Sequence, residues 1–221
     1  EADAGIRARG SLPLYSGGTA LYLKALLYGL FTGPSAHPEI RARLHAMDPA
    51  DRFALLTRVD PPSAARLHPN DARRVVRALE IHEVTGVPPS ALRLEWERSA
   101  PPVDAVLVGI RRPRADLYAR IDRRVDRMLE AGLVDEVRGL LARPGGFGAT
   151  ARQALGYKEV ADFLEGRTAS LAEAARILKT RTRNFARRQL TWFKRFDIRW
   201  VDVGPSEAPS EVAARIADLL T

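Results

Sequence analysis

The stretch Ser11-Leu12-Pro13-Leu14-Tyr15-Ser16-Gly17-Gly18-Thr19-Ala20-Leu21-Tyr22-Leu23-Lys24-Ala25-Leu26-Leu27 constrains the fold more than any other part of the chain. Leu12, Leu14 and Tyr15 predict a short buried strand. Gly17 and Gly18 let the backbone turn sharply and approach another group closely. Thr19 stands where a helix begins, so it can cap that helix and lies at its positive end. Leu21 to Leu27 favour helix. A strand-Gly-Gly-Thr-helix joint suits a phosphate or a polar substrate group. Turn chemistry alone leaves a plain capped turn equally open.

The chain has 221 residues, 46% of them apolar, which suits one large domain or a core with a smaller body attached. No run of about 18 apolar residues predicts a membrane span. The N-terminal Glu-Ala-Asp-Ala-Gly-Ile-Arg lacks the pattern of a signal peptide. There is no cysteine, and His37, His45, His68 and His82 lack the spacing of a zinc motif. No metal-ligand set is therefore predicted, and a reduced cytoplasmic setting is the default. The net charge is +8, with arginine far outnumbering lysine. Guanidinium forks grip phosphate oxygens in pairs. A GC-rich genome also raises arginine content, so only clustered arginines point to phosphate.

In chain order, Gly5 to Ser11 has the glycine spacing of a phosphate loop but lacks the lysine and the preceding strand. From Pro38 to about Arg98 the pattern is helical, broken at Pro, Asp and Gly. Asp104-Ala105-Val106-Leu107-Val108-Gly109-Ile110 predicts a strand of a covered parallel sheet. A helix follows over about 115–131, with Leu117, Ile121, Val125, Met128 and Leu129 in one stripe. Further helices are predicted near 133–142, 150–166 and 170–195, then a strand at 200–203 and a helix at 208–221. The expected fold class is α/β. A core from residues 1–35 and 104–221 carries an inserted all-helical domain at 36–103.

The basic residues cluster. Arg73, Arg74 and Arg77 share the helix that Asn70 or Asp71 can cap, and Arg120 and Arg124 stand four apart on another. The segment 179–195 is dense in Lys and Arg with no acid among them. A solvated helix face usually mixes signs, so nucleic-acid backbone contact is favoured over diphosphate binding or plain surface. Phe185, Trp192 and Phe193 are read as core residues rather than stacking platforms. Two basic patches on separate bodies suggest a ligand held between them. Asp60, Asp104 and Asp116 have cap or turn readings as good as a catalytic one, and His68 beside Pro69 reads as capping or packing.

Four segments together resemble the tRNA dimethylallyltransferases: Leu-Tyr-Ser-Gly-Gly-Thr-Ala-Leu-Tyr-Leu-Lys-Ala-Leu-Leu at 14–27, His-Pro-Asn-Asp-Ala-Arg-Arg-Val-Val-Arg-Ala-Leu-Glu at 68–80, Gln-Ala-Leu-Gly-Tyr-Lys-Glu at 153–159 and Arg-Arg-Gln-Leu-Thr-Trp-Phe at 187–193. The resemblance implies a P-loop NTPase-like parallel-sheet core. It implies transfer of a dimethylallyl group from its diphosphate to N6 of adenosine 37, in tRNAs reading codons that start with U, with Mg2+. By position it implies that Thr19 contacts tRNA at the reaction channel and that Arg41, Arg73, Arg74 and Arg77 contact tRNA. Arg152, Gln153, Gly156, Tyr157, Arg187 and Arg188 are expected to do so too. Arg124, with Arg120 beside it, is expected to hold the diphosphate. The expected partners are a tRNA anticodon stem-loop and dimethylallyl diphosphate, with no membrane and a monomeric chain.

Family members open with a Gly-x-Thr-x-x-Gly-Lys-Thr loop and an Asp-Ser motif, and neither pattern occurs in these residues. The expectation is therefore a chain lacking the N-terminal P-loop segment, a C-terminal fragment inactive alone. The alternatives are a non-catalytic RNA-binding remnant and a prenyltransferase of free adenine nucleotides.

Overall fold

The computed structural model describes residues 2–29, 33–92, 105–148 and 150–220. The chain divides into two compact units, Glu1–Ala105 and Val106–Thr221.

The first unit is helical: α1 (Ala2–Ala8), α2 (Ala20–Tyr28), α3 (Pro38–Ala46), α4 (Pro49–Val59), α5 (Pro61–Ala64) and α6 (Ala72–Thr85). Punctuation in the sequence starts these helices. Asp48 accepts from the Ala50 N–H at 2.8 Å, Asp60 from Ser63 at 3.2 Å and Asp71 from Arg74 at 3.3 Å. Proline stands in the first turn of α3, α4 and α5, where its missing N–H costs nothing. Gly86, at φ 70°, ends α6 in the left-handed conformation that a side chain resists. The core of this unit is Leu44, Leu56, Val75, Val76 and Leu79, all buried, with Ile40, Met47 and Phe53 packed against them. Arg52 is also buried there and donates to the Leu44 carbonyl at 3.1 Å, meeting the negative end of α3. Asp60 is a structural residue: its second oxygen accepts from Ser90 N–H at 3.0 Å, tying the α4–α5 corner to the helical turn at 89–92.

The second unit has β1 (Val108–Arg111), α7 (Arg114–Glu130), α8 (Leu133–Leu141), a 3-10 turn (Ala151–Gln153), α9 (Tyr157–Leu164), α10 (Leu171–Phe193), β2 (Arg199–Asp202) and α11 (Pro209–Asp218). β1 and β2 pair in parallel, Val108 opposite Arg199 and Arg111 opposite Asp202. The helices between them form the crossover that a parallel pair requires. One core joins Leu133, Val137, Val160 and Ala161, and a second joins Val201, Val203 and Val212. The predicted stripe of α7 buries Ile121 and Val125 and half-buries Leu117, Met128 and Leu129. Gly109 faces Trp200 across the pair, and a methyl group there would lie 2.7 Å from the indole ring and 2.8 Å from Ile198. Gly109→Ala is expected to lower the stability of this unit by about 1–3 kcal/mol, read by urea unfolding. A change inside about 0.5 kcal/mol would show that the ring yields freely.

The parallel-sheet core needs correcting. Among the described residues the sheet is a single pair of strands, and the first predicted strand is absent. Leu12, Leu14 and Tyr15 are 72%, 83% and 54% exposed in irregular chain. An apolar run becomes a strand only when neighbours supply ladder hydrogen bonds and cover a face, and here neither is supplied. Asp104, the start of the second predicted strand, lies outside the described residues, as do residues 93–98 of the last predicted helix of the inserted region. The aromatic reading of α10 is also corrected. Phe185 and Trp192 are each 40% exposed, whereas Phe193 is half-buried and meets Phe196 edge-on at 6.3 Å.

Candidate functional site

Thr19 occupies the N-cap position of α2, exposed and extended at φ −92°, with its side chain making no cap hydrogen bond. Its hydroxyl remains available at the positive end of the helix.

The three arginines of α6 that read as one patch, with Arg41 of α3 beside them, behave differently. Arg41 of α3 and Arg77 both turn toward Glu80, whose side chain is fully buried. Arg41 donates through Nε at 2.8 Å and Nη2 at 3.0 Å, Arg77 through Nη1 at 2.6 Å, and the His37 backbone N–H at 2.8 Å. Burial alone would raise the Glu80 pKa. The hydrogen bonds from Arg41, His37 and Arg77 outweigh it and hold the carboxyl at about 2. Arg73 is exposed and has no partner among the described residues, and Arg74 makes only a 3.4 Å contact with Asp71. A groove of about 500 Å³ runs beside them, floored by Leu67, Ala78 and Ile81.

On α7, Arg120 is anchored. It donates to Asp116 at 3.1 Å and to the Pro205 carbonyl at 2.8 Å. Arg124 is exposed and unpartnered among the described residues. Arg123 and Arg127 line a shallow groove of about 490 Å³ with Arg120.

Three of the seven basic residues at 179–195 are neutralised across the packing. Lys179 meets Asp126 at 2.6 Å, Arg181 meets Glu159 at 2.5 Å, and Arg183 donates to Asp122 through Nε at 3.0 Å. Asp122 and Asp126 are four apart on α7 and face Arg183 and Lys179, four apart on α10, so the two helices run antiparallel with a charge ladder between them. The reading that no acid opposes this segment therefore holds within the segment and fails across the packing. Arg187 and Arg188 lie beyond the ladder, exposed and unpartnered among the described residues. Arg195 stacks on Trp192 with its guanidinium carbon 5.1 Å from the ring centroid.

The 152–157 segment is held from beneath. Gly156 sits at φ 98°, and its N–H donates to the buried Glu159 carboxylate at 2.8 Å. That carboxylate also receives Arg181, so it ties the start of α9 to α10. Arg152 pairs with Glu165, which Arg167 shares. Gln153 is exposed. The Tyr157 hydroxyl donates to Glu136, which raises the tyrosine's pKa.

The carboxylates that sort these arginines are absent from the sequence reading. Glu80 could have been found, being three residues after Arg77 on one helix face. Glu159 stands three residues after a helix-starting glycine, as in a capping box. Asp122 and Asp126 carry no local signal, because their partners Arg183 and Lys179 lie far along the chain. Among the described residues, no group of three or more His, Asp or Glu side chains could hold a metal ion. None of their helices is long and apolar enough to cross a membrane.

The chain matches the model of the family described as IPP transferase over residues 1–196. It is 47% identical to a protein of Symbiobacterium thermophilum named tRNA dimethylallyltransferase, over 97% of this chain and 68% of that protein. It spans 63–72% of the lengths of the curated relatives it matches. A crystal structure of the full-length tRNA isopentenylpyrophosphate transferase of Bacillus halodurans superposes with a TM-score of 0.65 at 36% identity, covering 98% of this chain and 68% of that one. A structure described as a eukaryotic dimethylallyltransferase acting on tRNA gives a TM-score of 0.77 at 29% identity, covering 99% of this chain and 59% of that one.

These matches correct the expectation of a member lacking its N-terminal segment and inactive alone. The family region begins at residue 1 and takes in nearly the whole chain, so neither a missing segment nor inactivity is carried further. The remnant reading is dropped with it. Its physical premise was an absent sequence pattern, and where a chain begins is no measure of its chemistry.

Proposed function

The chain belongs to the IPP transferase family, and we propose that the protein transfers a dimethylallyl group from dimethylallyl diphosphate to N6 of adenosine 37 in tRNAs that read codons starting with U. The family match over residues 1–196 carries this reading. The exposed arginines that no carboxylate neutralises support it.

In the proposed reaction the N6 lone pair attacks C1 of the prenyl group. The C1–O bond breaks, diphosphate leaves with the bonding electrons, and N6 passes one proton to solvent water. An exocyclic adenine amine is a poor nucleophile, so the base must be drawn out of its stack and held against the prenyl carbon. Thr19 meets the nucleotide at the mouth of the channel. Arg73, Arg74, Arg187 and Arg188 contact the tRNA backbone, and Arg152, Gln153, Gly156 and Tyr157 form a further contact segment. Arg41 and Arg77, expected from the resemblance to contact tRNA, stand behind these contacts with their donors held by Glu80. Arg124, with Arg120 anchored one turn before it, receives the departing diphosphate. Bound Mg2+ would neutralise diphosphate oxygens. The described residues offer no ligand cluster for it. The inserted region 36–103 is the tRNA-binding part of a monomeric cytoplasmic enzyme.

The test is to incubate the protein carrying this chain with dimethylallyl diphosphate and a tRNA transcript, then digest and weigh the nucleosides. Prenylated adenosine at position 37 is expected. Transfer to adenosine monophosphate but not to tRNA, or no transfer to either, would overturn the reading.

A further inference from the structure

We infer that Glu80 is a positioning residue that turns Arg41 and Arg77 inward as struts and leaves Arg73 and Arg74 as the phosphate-contacting arginines of α6. The inference rests on the proposed tRNA function and divides a patch that the sequence presents as uniform.

Arg73 and Arg77 stand four apart, and Arg77 and Glu80 three apart, so all three lie along one side of α6. Glu80 is fully buried, and each of its oxygens is occupied: one by the His37 N–H and Arg41 Nε, the other by Arg41 Nη2 and Arg77 Nη1. A guanidinium engaged this way cannot swing out to a phosphate without stripping donors from a buried charge. Arg77 is further committed through Nη2, which donates to the Pro34 carbonyl at 2.9 Å. The same network therefore grips both ends of Pro34–His37, the segment that leads into α3. Arg73 carries none of these restraints. Arg74 has only an exposed 3.4 Å contact to Asp71, which water screens and a phosphate can replace. The groove beside them is lined by Arg73, Arg74 and Arg77 over the apolar Leu67, Ala78 and Ile81, and of these three arginines only Arg77 has its guanidinium donors committed to Glu80 and Pro34. Glu80 thus sets which cations keep their donors free for a phosphate and fixes the chain segment at their edge.

Each phosphate contact contributes about one to the slope of log affinity against log salt. Arg73→Gln is expected to flatten that slope by about one for an anticodon stem-loop, while Arg77→Gln leaves it unchanged. Glu80→Gln is expected to raise the tRNA KM about tenfold while kcat falls less than about twofold, at a temperature where circular dichroism shows the variant folded. The inference is overturned if Arg77→Gln flattens the slope as much as Arg73→Gln. A wild-type protein without salt-dependent tRNA binding would instead sink the proposed function. Hydrogen exchange at the His37 amide then decides the strut role. Protection should fall in Arg77→Gln and Glu80→Gln but not in Arg73→Gln, and equal protection in all three would refute it.

Discussion

Glu80→Ala is expected to destabilise the helical unit by about 3 kcal/mol, the lower end of the cost of removing one partner from a buried ion pair. The lower end applies because Arg41 and Arg77 keep 41% and 35% of their side chains exposed and can turn part of their charge to water. The His37 N–H loses its acceptor, and the α3–α6 packing loses its polar tie. Urea unfolding followed by hydrogen exchange on α6 reads this unit separately from the other. A loss below about 1 kcal/mol would show that water replaces the carboxylate freely.

The same residue sets an acid limit. Glu80 is held at about 2 in the folded chain against 4.5 for an unperturbed glutamate. A depressed pKa contributes stability in full above about 4.5, and that contribution is lost as pH falls through about 2. The difference corresponds to roughly 3 kcal/mol. Wild type should therefore lose stability steeply between those pH values, and Glu80→Ala should lack that part of the slope. Parallel curves for the two proteins would contradict the assignment.

Arg124→Ala is expected to lower kcat about a hundredfold while changing tRNA affinity less than about twofold. Its guanidinium is exposed, and no carboxylate neutralises it among the described residues. Arg120, one turn earlier, is fixed by Asp116 and the Pro205 carbonyl, so Arg124 keeps its full set of donors for a leaving diphosphate. Single-turnover prenyl transfer measures the first quantity and filter binding of tRNA the second. Arg74→Ala should do the reverse, weakening tRNA binding with little change in turnover. Equal losses of both quantities in both variants would remove the division of roles.

Most of the helical framework was legible. Asp48, Asp60, Asp71 and Ser170 each cap the helix that follows, and Gly86 ends α6, because capping is a contact between residues two to four apart. The parallel strands near 108 and 200 were legible as short β-branched runs. The strand expected at Leu12 to Tyr15 was not borne out, since a short apolar run says nothing about whether a partner covers its face. The Gly-Gly-Thr joint kept its helix and its capping position and lost its strand.

The family likewise lay within reach of the sequence. Four ordered motifs carried the resemblance to tRNA dimethylallyltransferases, and the match over 1–196 established membership of the IPP transferase family. The reading that failed, of a fragment inactive by itself, argued from a pattern that was absent.

By itself the sequence determined where helices start and stop, which faces are apolar and where positive charge accumulates, for each of these is a matter of neighbours along the chain. Only the tertiary structure decided which positive charges are spent. Glu80 engages Arg41 and Arg77, Glu159 engages Arg181, and Asp122 and Asp126 engage Arg183 and Lys179. Among the described residues, Arg73, Arg124, Arg187 and Arg188 are among the arginines that no carboxylate engages. An ion pair depends on distance in space, and packing brings together residues far apart in sequence, so sequence spacing could count the arginines without showing which of them remain free.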